Sequence, residues 1–470
     1  MENIRAVVSN SGFLLQITGL LLIMPIAVGF QNGEIQSVAS ITATCFLAFA
    51  AGFILNSFCE RKELDEQTSI WLMLIVFTLI PAVLMIPYAW NNVFGSGNLF
   101  DLLTNAYFET VSGFTTTGFT FIANPDSLPQ SLLFYRSLIE FIGGIGFIYL
   151  LAAFLQPSRK LDNFAEAFGV HKLSKNLKRV FLSVMLVYTF FVFIFTGIFY
   201  VLYSQNLIVA SCTAIDILTG GYQPNLTAGI GVFQISIIIL MLLGSLNFKF
   251  HYRLFQLKPR EAFTKEVKLF FGIIAGATVL LAILAWVNPF DSLFHVLSML
   301  TSTGLDYINL GSTPLAARVA FIIIGLIGGC AFSMAGGIRI QRIQVLIDSL
   351  RRKGDRPDRD ELKGVLIFLV GFLALLFLFS LVFSTIGISF LDSVFEVGSA
   401  LTTNGISMGI TTVTMPLGYK WLLILAMLLG RIEFVTIIKI ISWTGIVDAG
   451  KGFAGRLRIR RKLRYKLTSH

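Results

Sequence analysis

Four short segments of this 470-residue chain hold the residues best suited to handling an ion. They read Thr115-Thr116-Thr117-Gly118-Phe119, Leu218-Thr219-Gly220-Gly221-Tyr222, Thr301-Ser302-Thr303-Gly304-Leu305 and Thr402-Thr403-Asn404-Gly405-Ile406. Gly118, Gly221, Gly304 and Gly405 are separated by 103, 83 and 101 residues. A dehydrated cation needs a ring of oxygens in place of its water. Backbone carbonyls supply such a ring only from unusual dihedrals, which glycine permits. Hydroxyls of Thr and Ser can add further oxygens. One such turn alone reads as an ordinary helix C-cap, but four in matching positions read as four walls of one cation site. The residues placed at the ion are Thr116, Thr117, Gly118, Thr219, Gly220, Gly221, Ser302, Thr303, Gly304, Thr403, Asn404 and Gly405.

Elements of two lengths must position these turns. Each turn closes a half-apolar stretch, at about 101–114, 207–219, 290–302 and 389–403, too short to cross a bilayer. Around them lie about ten apolar runs of spanning length, at about 10–30, 37–58, 69–90, 132–155, 180–203, 229–252, 267–287, 315–347 (interrupted), 364–387 and 420–443. The composition agrees: 55% of residues are hydrophobic, only 13% are charged, and mean hydropathy is +0.80. A soluble domain carries roughly 25% charged residues, so a soluble or disordered chain is excluded. The fold expected is all-α and integral to the membrane, with four span–half-helix–turn–span repeats around a pseudo-fourfold axis. Residues 1–66 hold two extra spans. The repeats cover 67–165, 166–258, 259–352 and 353–450, and a basic tail covers 451–470. The half-helix C-termini point partly negative ends at the axis, which favours a cation.

Charge sets the topology. No Lys or Arg occurs in 63–135, 180–248, 269–317 or 364–419, whereas 156–179, 249–268, 339–363 and 439–470 hold six, six, eight and nine. The positive-inside rule places the second group, and both termini, in the cytoplasm. The net charge of +10 then belongs to inner loops facing cytosol and anionic lipid, which leaves no support for nucleic-acid binding. Asp101, Glu109, Asp126, Asp216, Asp291, Asp306, Asp392 and Glu396 fall on the outer side and predict a negative vestibule that gathers cations. The four cysteines and four histidines have no metal-ligand spacing, and Cys45, Cys59, Cys212 and Cys330 read as packing residues. No cleavable leader is expected, because the run from Phe13 to Phe30 is too long for one.

Four such units, each with one filter glycine, resemble the TrkH/KtrB superfamily of potassium transporters. The two added N-terminal spans are similar to its TrkH branch. Local matches are Arg136 through Gly146, Asn247-Phe248 with His251, Gly328-Gly329 through Arg339, and Gly430-Arg431-Ile432-Glu433. Tyr222-Gln223, Asp306 and Ser407 follow the filter glycines, so the full TVGYG signature of potassium channels is absent. The resemblance implies K⁺ as transported substrate, with no organic cofactor and no enzymatic activity on this chain. It implies multi-pass residence in a bacterial inner membrane, a homodimer, and a cytosolic nucleotide-binding ring of TrkA type as regulator. A cation- or proton-coupled carrier with weaker K⁺ over Na⁺ selection is the competing reading.

Two features suggest a gate. The run from about Leu315 to Leu350 is interrupted by Gly328-Gly329 and Gly336-Gly337, pairs that break a helix. By the resemblance this break is an intramembrane loop closing the pore; close helix packing through small residues is the other reading. Arg431 falls mid-span, where a charge costs about 2.5–3.5 kcal/mol or more. The resemblance places it in the permeation path; a structural ion pair is its alternative, with Glu433 poorly placed as partner. Arg136 and Glu140, four residues apart, are expected to pair. The tail from Lys451 to Lys466 is a candidate docking surface for the regulator or for anionic lipid.

Overall fold

The computed structural model describes residues 2–57, 66–95, 98–154, 177–203, 206–222, 232–285, 288–307, 313–351 and 357–432, and among them every regular element is helical. Cys59, Gln223, Glu433, most of the basic inner segment 156–179 and the tail from Lys451 to Lys466 lie outside the described residues. Seven helices are long and apolar enough to cross a membrane, and a bent pair counts as an eighth span. The chain is a multi-pass membrane protein.

Helices α1 (Glu2–Leu21), α2 (Ile23–Asn32) and α3 (Ile35–Ser57) precede the repeats. α1 and α3 pack backbone to backbone: a β-carbon on Gly12 would lie 2.8 Å from the Gly52 carbonyl, and one on Gly52 2.6 Å from that of Gly12. Between α2 and α3, Glu34 accepts the backbone N–H of Gln130 at 2.7 Å and of Ser131 at 2.9 Å. It thereby satisfies two orphan donors at the start of a repeat-one helix and fastens the extra spans to the first repeat.

The first repeat comprises α4 (Glu66–Leu84), α5 (Ile86–Trp90), the half-helix α6 (Leu99–Phe114) and α7 (Gln130–Phe154). The second has α8 (Leu177–Tyr203), half-helix α9 (Leu207–Thr219), α10 (Val232–Ser245) and α11 (Phe248–Phe255). The third has α12 (Lys265–Ala285), half-helix α13 (Pro289–Leu300), α14 (Leu315–Ile327) and α15 (Ile340–Leu350). The fourth has α16 (Arg359–Ser384), half-helix α17 (Phe390–Leu401) and α18 (Leu417–Ile432). Every half-helix starts on a capping side chain. Asn98 accepts from Phe100 N, Asn206 from Ile208 N, Asn288 from Phe290 N and Asp291 N, and Ser389 from Asp392 N. Such caps contribute about 1 kcal/mol each.

The half-helices pack in a cycle: α9 against α7, α13 against α10, α17 against α14, and α6 against α18. Each therefore leans on the second span of the repeat before it, and repeat four closes on repeat one. Within a repeat, glycines bring half-helix and span into contact. A β-carbon on Gly143, Gly244 or Gly430 would overlap the carbonyl of Phe114, Leu218 or Leu401 respectively.

Two spans differ in form from a straight run. The run expected over 229–252 stops at Ser245, and α11 leaves at 104°. Asn247 causes the break by capping α11, accepting the Phe250 N–H at 2.7 Å. In repeat three, α14 ends at Gly328 (φ +76°), and α15 resumes only at Ile340.

Candidate functional site

Three of the turns share one backbone construction. Thr117 N–H reaches back to Ser112 O at 2.8 Å, Thr303 N–H to Ser298 O at 3.0 Å, and Asn404 N–H to Ser399 O at 2.8 Å. This is a helix C-terminus closed by a left-handed residue, here Thr116 (φ +54°), Ser302 (φ +57°) and Thr403 (φ +52°). A non-glycine residue held there costs about 1–2 kcal/mol. Gly118, Gly304 and Gly405 follow at φ +85°, +71° and +77°. The second turn is built differently. Its positive φ falls on Gly220 (+72°), which caps α9.

The four turns surround one axis. A β-carbon on Gly118 would overlap the Gly221 carbonyl, and one on Gly220 would lie 2.6 Å from the Ser302 oxygen. One on Gly304 would overlap the Asn404 carbonyl, and one on Gly405 that of Thr117. Turn one touches two, two touches three, three touches four, and four returns to one. Above the ring lies a cavity of about 480 Å³ lined by Gly118, Thr120, Arg136, Asp306, Ser407 and Thr411, among others.

No family model matches the chain. It is 26% identical over 494 residues to the Trk system potassium uptake protein TrkH of Salmonella typhimurium, across 94% of this chain and 99% of that protein. It is 27% identical over 477 residues to an uncharacterised cation transporter of Methanocaldococcus jannaschii, across 94% and 96%. The crystal structure of the potassium transporter TrkH from Vibrio parahaemolyticus superposes with a TM-score of 0.80 at 21% identity, covering 93% of this chain and 98% of that one. The chain thus has the TrkH fold and is similar to Trk potassium uptake proteins over nearly its whole length.

Within this TrkH-like fold, the acids sort into two groups that sequence position alone does not separate. Asp306 lines the cavity above the ring. Glu109, Asp216 and Glu396 are buried behind the turns instead of lining a vestibule. Glu109 accepts Thr120 Oγ1 at 2.8 Å and Phe121 N–H at 3.0 Å. Glu396 accepts Ser407 Oγ at 2.6 Å, Met408 N–H at 3.1 Å, and both the N–H and the hydroxyl of Thr411. Arg136, only 2% exposed, pairs with Glu109 at 3.1 Å and not with Glu140 as its spacing suggested. Its guanidinium carbon lies 3.2 Å from the centre of the Tyr222 ring. Glu140 serves the second turn, accepting Tyr222 N–H at 2.6 Å and Thr219 Oγ1 at 3.1 Å. The sequence did carry a signal for two of these acids: Glu109 and Glu396 each precede a turn glycine by nine residues.

On the opposite face of the ring lies the 328–337 loop, held by the repeats around it. Cys330 N–H donates to Ser245 O and Met334 N–H to Gly244 O, each at 3.1 Å, and Phe332 O accepts from Phe248 N–H at 3.0 Å. Glu266, at the start of α12, accepts Ala331 N–H at 2.7 Å and Asn247 Nδ2 at 3.1 Å. Gly336 N–H donates to Ser302 Oγ at 3.1 Å, inside the third turn. A β-carbon on Gly336 would overlap Thr402 O and Thr403 Oγ1 of the fourth turn. The loop also folds tightly on itself, since β-carbons on Gly329 and Gly337 would lie 2.6 Å from Ala335 Cβ and 2.7 Å from Gly328 Cα. Arg431, 1% exposed, donates from Nη1 to Met334 O at 2.8 Å, with its guanidinium 4.3 Å from the centre of the Phe147 ring. Its Nε and Nη2 have no hydrogen-bond partner among the described residues. Sequence reading overlooked Glu266, whose partners Ala331 and Asn247 are distant in the chain, and the capping role of Asn247, whose partner is only three residues on.

Proposed function

We propose that this chain takes up K⁺ through the ring of four turns. The observation carrying this reading is the closed cycle of glycine-to-carbonyl contacts, with an outer cavity above and a glycine-rich loop below. Carbonyls gathered on one axis replace the hydration shell of a cation. The Trk relatives are named as potassium uptake proteins, which supplies the ion. Inward movement of one K⁺ releases about 2.3 kcal/mol per 100 mV of membrane potential.

Thr116 to Gly118, Thr219 to Gly221, Ser302 to Gly304 and Thr403 to Gly405 form the filter. The loop from Gly328-Gly329 to Gly336-Gly337 is the gate, occluding the path under the filter. Arg431 pins the closed loop through the Met334 carbonyl and sets a positive charge against the passing ion. The protein acts as a homodimer in a bacterial inner membrane with both termini in the cytoplasm. A nucleotide-binding ring of TrkA type regulates it from there, with anionic lipid along the basic inner loops. Growth of a K⁺-uptake-deficient bacterium at limiting K⁺ tests the reading. Expression of this chain with such a regulator restores growth, and failure to do so by protein present in the membrane counts against it.

A further inference from the structure

Glu109 and Glu396 occupy equivalent places in repeats one and four, nine residues before Gly118 and Gly405. Both are 0% exposed. Each accepts a hydroxyl two residues after its glycine (Thr120, Ser407) and a backbone N–H three residues after it (Phe121, Met408). A carboxylate on the half-helix thus clasps the chain leaving the filter and fixes its distance from that helix. The second turn has Cys212 at this place, and Glu140 from the neighbouring repeat holds it instead, through Tyr222 N–H and Thr219.

The third turn is held by a carboxylate at a different place on its half-helix. Its equivalent residue, nine before Gly304, is His295. The His295 Nδ1 bonds to Asp291 O of its own helix at 2.7 Å, and Nε2 has no partner among the described residues. It offers the departing chain a ring face: Tyr307, three residues after the glycine, packs against it with centroids 4.5 Å apart, and the Tyr307 hydroxyl donates to Asp291 Oδ1 of the same half-helix at 2.6 Å. All four walls are thus tied to a carboxylate, three of them partly through a backbone N–H and that of the third turn through the Tyr307 hydroxyl; such charge-assisted bonds are roughly twice as strong as neutral ones.

Resting on the reading of the ring as a K⁺ filter, we infer that Glu109 and Glu396 are specificity-determining positioning residues. By clasping the strand beyond each glycine they stop the carbonyl ring from closing onto a smaller cation. Neither carboxylate touches the ion; each acts through the turn it holds.

The test measures K⁺ and Na⁺ uptake, per molecule of monodisperse protein, into vesicles. Glu396→Gln keeps the shape but replaces one acceptor oxygen with a donor, and lowers the K⁺/Na⁺ ratio roughly tenfold while K⁺ uptake persists. Ser407→Ala removes one of the donors to Glu396 and lowers the ratio by a smaller factor, roughly threefold; it decides the matter should Glu396→Gln fail to fold. Asp392→Asn, one turn earlier on the same half-helix and only partly buried, leaves the ratio unchanged. A selective unaltered protein whose Glu396→Gln and Ser407→Ala forms select equally well overturns the clasp alone. So does an equal fall in Asp392→Asn, which would mark long-range charge as the cause. Equal K⁺ and Na⁺ uptake by the unaltered protein overturns the filter reading, and the clasp with it.

Discussion

Replacing Gly220 by alanine perturbs the ring by a calculable amount. The residue sits at φ +72°, and its new β-carbon would lie 2.6 Å from the Ser302 carbonyl oxygen and 3.1 Å from its carbon. Real β-carbons keep at least 3.0 Å from such atoms, so turn two or turn three must retreat by 0.4 Å or more (3.0 less 2.6). Alanine in the left-handed region adds about 1–2 kcal/mol of strain. The turn relieves both by rotating its carbonyls off the axis. If that strain is drawn from ion preference, the K⁺/Na⁺ ratio falls roughly tenfold. Gly197→Ala is the control, since it is helical with nothing within 4 Å of the added carbon. The assay is competition of Na⁺ against K⁺ uptake in vesicles holding equal amounts of each variant. A Gly220→Ala protein as selective as the Gly197→Ala control refutes the placement of turn two in the filter.

Removing the Arg431 charge raises flux. At about 6 Å and an effective dielectric of ~20, a fixed charge opposes K⁺ by roughly 3 kcal/mol, and Arg431→Gln also weakens the bond to Met334 O; uptake per molecule that fails to rise removes Arg431 from the barrier. Glu266→Ala removes the acceptor of both the Ala331 N–H in the gate loop and Asn247 Nδ2, so regulator-independent K⁺ uptake increases several-fold with ion preference intact; uptake at the unaltered level makes Glu266 a packing residue. Glu109→Ala leaves Arg136 buried without its 3.1 Å partner, which destabilises by about 3–5 kcal/mol and appears as a lower melting temperature in detergent; an unchanged melting temperature contradicts the ion pair's structural weight.

The repeat was legible because it is written in local chemistry. The turns 115–119 and 402–406 announce themselves by composition, and their half-helices by length. The Asn98, Asn206, Asn288 and Ser389 caps are a fourfold signal of the same local kind that sequence reading passed over. What the sequence hid is cross-repeat pairing. Helical spacing offers Glu140 to Arg136, yet packing of α9 against α7 gives Glu140 to Tyr222 and leaves Arg136 to Glu109, 27 residues away. Likewise hydropathy runs straight through 229–252, while one capping side chain at Asn247 ends the span. Acidic residues counted by topology as vestibule charge separate into partly exposed ones (Asp101, Asp291, Asp306, Asp392) and buried ones (Glu109, Asp216, Glu396) only in the folded chain.

The central claim is that four turns on one axis select K⁺. Its most direct test is uptake of K⁺, Rb⁺ and Na⁺, one ion at a time, by the purified protein with its regulator in vesicles at a fixed membrane potential. The account predicts K⁺ and Rb⁺ uptake well above that of Na⁺. Equal uptake of all three, or of none by correctly folded protein, would contradict it.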